Sequence, residues 1–272
     1  MQAAVTPRRA DAIMRVVPKF LVPMSDSKIT SSSPASLIVF DSGIGGLSVA
    51  DEIRRQLPWV NINYVADNRI FPYGLQEESV LIKRVCSIMP ALEQRYPASA
   101  IVIACNSAST VVLDTLRQQT STPVIGVVPA IKPAAQRSTN RVIGLLATPG
   151  TVNRHYTQRL IEEFASGCDV VKVGSSALVT LAENKLRGMP VDNNAIAEIV
   201  APFLQHLPPP DVVVLGCTHF PFLRAEIAAA LPSGTLLLDS GEAIARRTRQ
   251  VLESHAIDNP AEKDRQKTPC LH

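Results

Sequence analysis

The sequence is short of the features that would assign it to several large protein classes. None of its apolar runs reaches the length of a membrane-spanning helix, so no helical anchor is expected. Its five cysteines, Cys86, Cys105, Cys168, Cys217 and Cys270, are odd in number and show no C-x-x-C spacing, which argues against a disulfide framework and a zinc finger. Free thiols in a chain of this size suit a reducing cytoplasm. Charge of one sign is also scarce. Lysine and arginine total 27 against 24 acidic residues, a net charge of +3, and no basic run is interleaved with aromatics, so nucleic acid is not an expected partner. No continuous apolar stretch follows the charges of the first residues, as a secretory signal would require. What is abundant is apolar surface. Hydrophobic residues make up 46% of the 272 and charged ones 19%, enough for a substantial core.

That apolar content is organised. Leu37-Ile38-Val39-Phe40, Ile62-Asn63-Tyr64-Val65, Ile101-Val102-Ile103-Ala104 and Val124-Ile125-Gly126-Val127 are short β-prone runs. So are Val142-Ile143-Gly144-Leu145-Leu146, Val170-Val171-Lys172-Val173, Val212-Val213-Val214-Leu215 and Leu236-Leu237-Leu238. Their apolar residues are continuous rather than alternating, as in strands covered on both faces. Amphipathic segments at 47–57, 79–95, 107–119 and 194–206 separate them. Strand and helix in alternation predict an α/β protein built from right-handed βαβ units and mainly parallel sheets. Each strand start in the second half lies roughly 105–112 residues after its counterpart (142 after 37, 236 after 124), which suggests an internal repeat.

The chemistry repeats with the strands. Ala104-Cys105-Asn106-Ser107 follows the third strand of the first half, and Gly216-Cys217-Thr218-His219 the third of the second. Ligands bind at this end of open parallel sheets. A cysteine where a strand passes into a helix can be held as a thiolate by the helix N-terminus. Two thiols facing one carbon could remove a proton from one face and return it to the other, exchanging roles with direction. Other readings coexist at this level. Cys105, Cys217 and His219 could be zinc ligands, although a fourth ligand is missing. Asp41-Ser42-Gly43-Ile44-Gly45-Gly46 is a glycine turn that could hold an anion on backbone N–H groups. It meets a dinucleotide fingerprint only in part, since Ser48 stands at the third glycine, but Asp67 lies where a ribose-binding acid could be. Pro72-Tyr73-Gly74 reads as a turn, His219 as a proton partner of Cys217, and Glu183, in a helical pattern, as a solvated carboxylate by default.

Taken together and in order, four motifs resemble those of the glutamate racemase family over roughly residues 37–255. They are Phe40-Asp41-Ser42-Gly43-Ile44-Gly45-Gly46, then Ala66-Asp67-Asn68 with Pro72-Tyr73-Gly74, then Ala104-Cys105-Asn106-Ser107-Ala108-Ser109, and last Leu215-Gly216-Cys217-Thr218-His219-Phe220-Pro221. The resemblance implies two similar doubly wound domains related by a pseudo-two-fold axis, with the active site between them. It implies cofactor-independent and metal-free inversion of glutamate for peptidoglycan. Cys105 would deprotonate D-glutamate and Cys217 L-glutamate, assisted by Asp41, His219 and Glu183. Substrate would be held by Asp41, Ser42, Pro72, Tyr73, Gly74, Cys105, Asn106, Ser107, Thr218 and His219. It also implies that the final helix, 241–257, returns to the first domain. The expected division is therefore a leader at 1–36, a first domain at 37–132 completed by 241–257, a second domain at 133–240, and a frayed tail at 258–272.

The chain departs from the family pattern at three places: Ser107 stands for a more usual threonine, Phe220 for a common tyrosine, and Ser175 where many members have a cysteine. Some members with an N-terminal extension are activated by a peptidoglycan precursor, which leaves such regulation open here. A homodimer is likewise open. Aspartate racemase, or another cysteine-pair racemase, is the alternative within the same chemistry, and a nucleotide- or sugar-binding module the alternative outside it.

Overall fold

The computed structural model describes residues 35–255. Eight strands form two four-stranded sheets. β1 (Ser36–Asp41), β2 (Asn61–Ala66), β3 (Ala100–Ile103) and β4 (Val124–Gly126) make the first, in the order β2-β1-β3-β4. β5 (Val142–Ala147), β6 (Asp169–Gly174), β7 (Val212–Leu215) and β8 (Leu236–Leu238) make the second, in the order β6-β5-β7-β8. Every pairing is parallel. The second sheet therefore repeats the topology of the first, as the strand spacing predicts.

Ten α-helices lie among the described residues. α1 (Leu47–Gln56), α2 (Glu78–Arg95), α3 (Asn106–Gln119) and α10 (Gly241–Ser254) cover the first sheet. α4 (Ile131–Arg137), α5 (Pro149–Asn153), α6 (His155–Phe164), α7 (Ala177–Leu186), α8 (Asn193–Gln205) and α9 (Arg224–Ala229) flank the second. Strand periodicity decides which side chain goes where. Leu37 and Val39 of β1 enter the cluster shared with α1 and α10, while Ile38 and Phe40 enter the one shared with α2 and α3. In the second sheet Val213 and Leu215 face α7 and α8, and Val212 and Val214 face α4. This two-sided burial explains the continuous apolar runs, and each large side chain taken fully out of water contributes about 1.5–3 kcal/mol.

Two expected boundaries move. Ser36 pairs with Asn61 at the start of β1, and Ala35 is buried, so the expected leader of 1–36 is two residues too long; the rest of it lies outside the described residues, as does the expected tail. The last helix ends at Ser254 rather than 257. It packs on α1, and its Ile244, Ala245, Val251 and Leu252 join the cluster under β1. The chain thus passes from the first sheet to the second after β4 and back after β8, where Ser240 Oγ donates to the Val128 carbonyl at 2.5 Å. No described helix is long and apolar enough to cross a membrane.

The topology prepares a site. In each sheet the chain leaves the first strand toward one neighbour and then returns to pair on the other side, which opens a crevice at the strands' carboxyl ends. The register places the two cysteines alike. Phe40 is opposite Ile103, and Leu146 opposite Leu215; Cys105 and Cys217 each lie two residues beyond.

Candidate active site

The first half contributes a buried carboxylate and a glycine turn. Asp41 ends β1 with no exposure at all. Its Oδ1 accepts from the Ser42 N–H at 2.8 Å and its Oδ2 from the Gly46 N–H at 2.5 Å, so the carboxylate closes the turn on itself. Tyr64 donates its hydroxyl to the Gly43 carbonyl at 2.8 Å. The turn has to be glycine-rich for a reason beyond backbone freedom. A Cβ on Gly45 would sit 2.3 Å from His219 Nδ1 and 2.7 Å from Thr218 Oγ1. Gly45 is where the backbone of the first half meets the second cysteine motif.

Cys105 is the N-cap residue of α3. Its Sγ lies 3.8 Å from Ser42 Oγ. Burial pushes its thiol well above the usual range, and the Asp41 carboxylate adds to the shift; the Ala108 N–H and the Ser42 hydroxyl oppose it. Cys217 is set differently from what its motif suggests. It does not cap an α-helix. A 3-10 turn, Phe220–Leu223, and the six-residue α9 follow it. In place of a helix N-terminus it has an imidazole, with His219 Nδ1 3.9 Å from Sγ. Burial works against a charged His219, but the hydrogen bonds to Cys217 and Glu183 outweigh it, and the pKa is pushed up to about 10.

Glu183 is not the solvated carboxylate that its helical pattern suggests by default. It is 8% exposed, and its Oε1 is 2.9 Å from His219 Nε2. Burial raises its pKa, but His219 and Arg187 together hold it below the usual value. Asp67 is likewise committed within the fold. Arg84 grips its two oxygens at 2.6 and 2.7 Å and the Tyr73 hydroxyl donates to it at 2.6 Å, which leaves nothing for a ribose.

One cavity gathers most of the predicted residues. Ser42, the turn at 72–74, Cys105 with Asn106 and Ser107, and Cys217 with Thr218 and His219 all line it. Its volume is about 20 Å³, room for roughly one water molecule. Asp41 and Glu183 stand behind this lining, the first against Ser42 and the second against His219. Tyr73 presents its ring side, since its hydroxyl points away to Asp67. Among the described residues no group of three or more His, Cys, Asp and Glu side chains could hold a metal ion.

A model of the Asp/Glu/Hydantoin racemase family matches residues 49–248. The chain belongs to this family. Among curated racemases, the glutamate racemase of Klebsiella pneumoniae is 51% identical over 243 residues, 89% of this chain and 86% of that protein. Escherichia coli glutamate racemase, solved with L-glutamate and the activator UDP-MurNAc-Ala, is 52% identical with a TM-score of 0.79 over 81% of this chain and 83% of that one. The Thermus thermophilus enzyme, solved with β-chloro-D-alanine, is 33% identical with a TM-score of 0.68 over 84% of each chain.

The sequence does not single out Thr148, which also lines this cavity. It follows β5 as Ser42 follows β1, so the internal repeat carried the signal. Its hydroxyl and that of Thr151 lie 3.1 and 3.2 Å from Ser107 Oγ. Phe71 and Val179 complete the apolar side; nothing in their local sequence distinguishes them from core.

Proposed function

We propose that this chain interconverts L- and D-glutamate without a cofactor, with Cys217 and Cys105 as the two acid–base groups, and supplies D-glutamate for peptidoglycan in the cytoplasm. The observation that carries the reading is the opening of both thiols, from repeat-related strands, onto one cavity. Cys105 takes the α-proton of D-glutamate and Cys217 that of L-glutamate, each returning a proton from its own side in the opposite direction. Asp41 and Ser42 orient Cys105, while Glu183 and His219 orient Cys217 and balance its charge. Asn106 Oδ1 is buried with no hydrogen-bond partner, and a substrate ammonium would satisfy it. The residues 72–74, Ser107 and Thr218 close the pocket around the remaining polar groups. A cavity the size of one water does not admit glutamate, so the halves part for entry and release.

The same reading divides the chain into a first domain, 35–132 with α10, and a second at 133–240, the parting occurring between them. It also places an activator. A cavity of about 420 Å³ behind α3 is lined by Arg117, Arg159, Arg247 and Tyr156. Three guanidinium groups beside an aromatic ring suit the phosphates and base of a nucleotide-linked precursor, the kind of molecule present in the E. coli relative.

Circular dichroism of L-glutamate incubated with the protein tests the central claim, with L-aspartate in parallel. Loss of the glutamate signal, little change for aspartate, and unchanged activity after dialysis against chelator are expected. Faster inversion of aspartate than of glutamate overturns the substrate assignment.

A further inference from the structure

Arg154 has no part in the reading above, yet its setting is expensive. It lies in the link between α5 and α6 and is 7% exposed, and a buried guanidinium is tolerated only when its donors are used. One terminal nitrogen donates to the Ser107 carbonyl and, at 2.9 Å, to Thr110 Oγ1; the other donates to the Gln76 carbonyl at 3.4 Å. Nε stands 3.5 Å from Glu78 Oε1. All four partners belong to the part of the chain before β5, although Arg154 follows β5. Two of them, Ser107 and Thr110, lie in the first five residues of α3, whose cap is Cys105. The Thr148 and Thr151 hydroxyls hold the same segment through Ser107 Oγ. On the Cys217 side the links across the halves are of another kind: Ser48 Oγ donates to the Thr218 carbonyl at 2.9 Å, and Gly45 packs on His219.

We propose that Arg154 is a positioning residue for Cys105 and not for Cys217: from the second half it clamps the first turn of α3 so that the thiol at its cap is aimed at substrate. It rests on the assignment of Cys105 as one of the two bases. The clamp is also a charge. Burial lowers the Arg154 pKa, and Glu78 and a Cys105 thiolate act against that, so cation and thiolate stabilise each other across the turn. Because the clamp comes from the second half, it joins the two halves as well as aiming the thiol.

Overall racemisation cannot reveal this selectivity, because enantiomers have equal free energy and kcat/KM must match in the two directions. A half-reaction can. With 3-chloroglutamate, the base removes the Cα proton, the electron pair forms the Cα–Cβ double bond and chloride leaves; the enamine hydrolyses to 2-oxoglutarate and ammonia. The 2-oxoglutarate is measured separately from the two Cα enantiomers. Cys105→Ser and Cys217→Ser define which enantiomer each thiol serves. Arg154→Gln is expected to slow elimination from the Cys105 enantiomer by about 10²-fold, the scale of a misplaced reacting group, and to leave the other nearly unchanged. Arg154→Lys keeps the charge without the fork, so a smaller loss on the same enantiomer is expected. Thr110→Val removes one acceptor of the clamp and should act in the same direction, which guards against a folding defect in the arginine variants. Equal slowing of both enantiomers by Arg154→Lys and Thr110→Val, with the cysteine variants still separating them, overturns the proposal alone. If Cys105→Ser silences both enantiomers alike, the two-thiol reading fails and the proposal falls with it.

Discussion

The two halves of the molecule bring a thiol to the same register position and then surround it with different chemistry. Cys105 caps the fourteen-residue α3, beside Ser42 and the buried Asp41. Burial and that carboxylate both favour its neutral form. Cys217 precedes a 3-10 turn and instead faces an imidazole backed by Glu183, a chain of groups that favours the charged His219. A pseudo-symmetric fold therefore carries an asymmetric pair. Burial and a carboxylate surround the first thiol, and a raised imidazole stands beside the second. The repeat supplies matching positions for the two thiols, and local substitution supplies their different neighbours.

Removing either thiol should break the comparison most severely. Replacement by serine raises the acid's pKa by several units, and loss of general acid–base catalysis costs about 10²–10⁴-fold. Cys105→Ser and Cys217→Ser should each abolish racemisation in both directions by polarimetry, while eliminating 3-chloroglutamate from opposite enantiomers.

Gly45→Ala attacks the point where the halves meet. The added methyl overlaps His219 and Thr218, so closure is spoiled and the fold strained by about 1–3 kcal/mol. Activity should fall about 10²-fold together with a lower urea midpoint. A variant with full activity would show that the glycine turn does not meet His219 during turnover.

Glu183→Gln sharpens the asymmetry. A hydrogen bond to a charged partner is worth about 1.5–3 kcal/mol, so elimination through Cys217 should slow about tenfold or more, with Cys105 chemistry little affected. Equal losses on both enantiomers would place Glu183 in the scaffold instead of the Cys217 relay.

The effect that leaves activity aside is on stability against pH. His219 is raised from about 6.5 to about 10 on folding, so its contribution is fully present below about 6.5 and is lost as pH rises through 10. Glu183 is lowered, so its contribution is present above the normal glutamate range and is lost as pH falls. Urea midpoints should decline between pH 7 and 10 in the native protein and decline less in His219→Gln.

Much of this arrangement is legible in the sequence. Buried parallel strands need continuous apolar runs, and a thiol at a strand's carboxyl end is visible wherever such a run stops at Cys105 or Cys217. What escapes is whatever depends on a partner distant in the chain. Glu183 looks solvated because its helix is read alone; only the packing of α7 against the turn after β7 gives it His219. The Tyr73 hydroxyl looks free for a ligand until Arg84, on α2, fixes Asp67 as the shared partner, so that only the ring faces the cavity. Arg154 and Thr148 belong to no recognisable local pattern, since their partners sit on α3, some forty residues earlier. The 3-10 turn after Cys217 is hidden for a different reason: Pro221 and the short span before α9 are compatible with either helix type.

The chain crosses between the sheets twice, beside Val128 and again beside Ser240, and those two crossings are tied by the Ser240–Val128 hydrogen bond. A door hung on two adjacent pins can swing about the line through them but cannot slide or corkscrew. On the two-thiol reading, an opening hinged there would return along the same arc and bring each thiol back to its own face of the α-carbon.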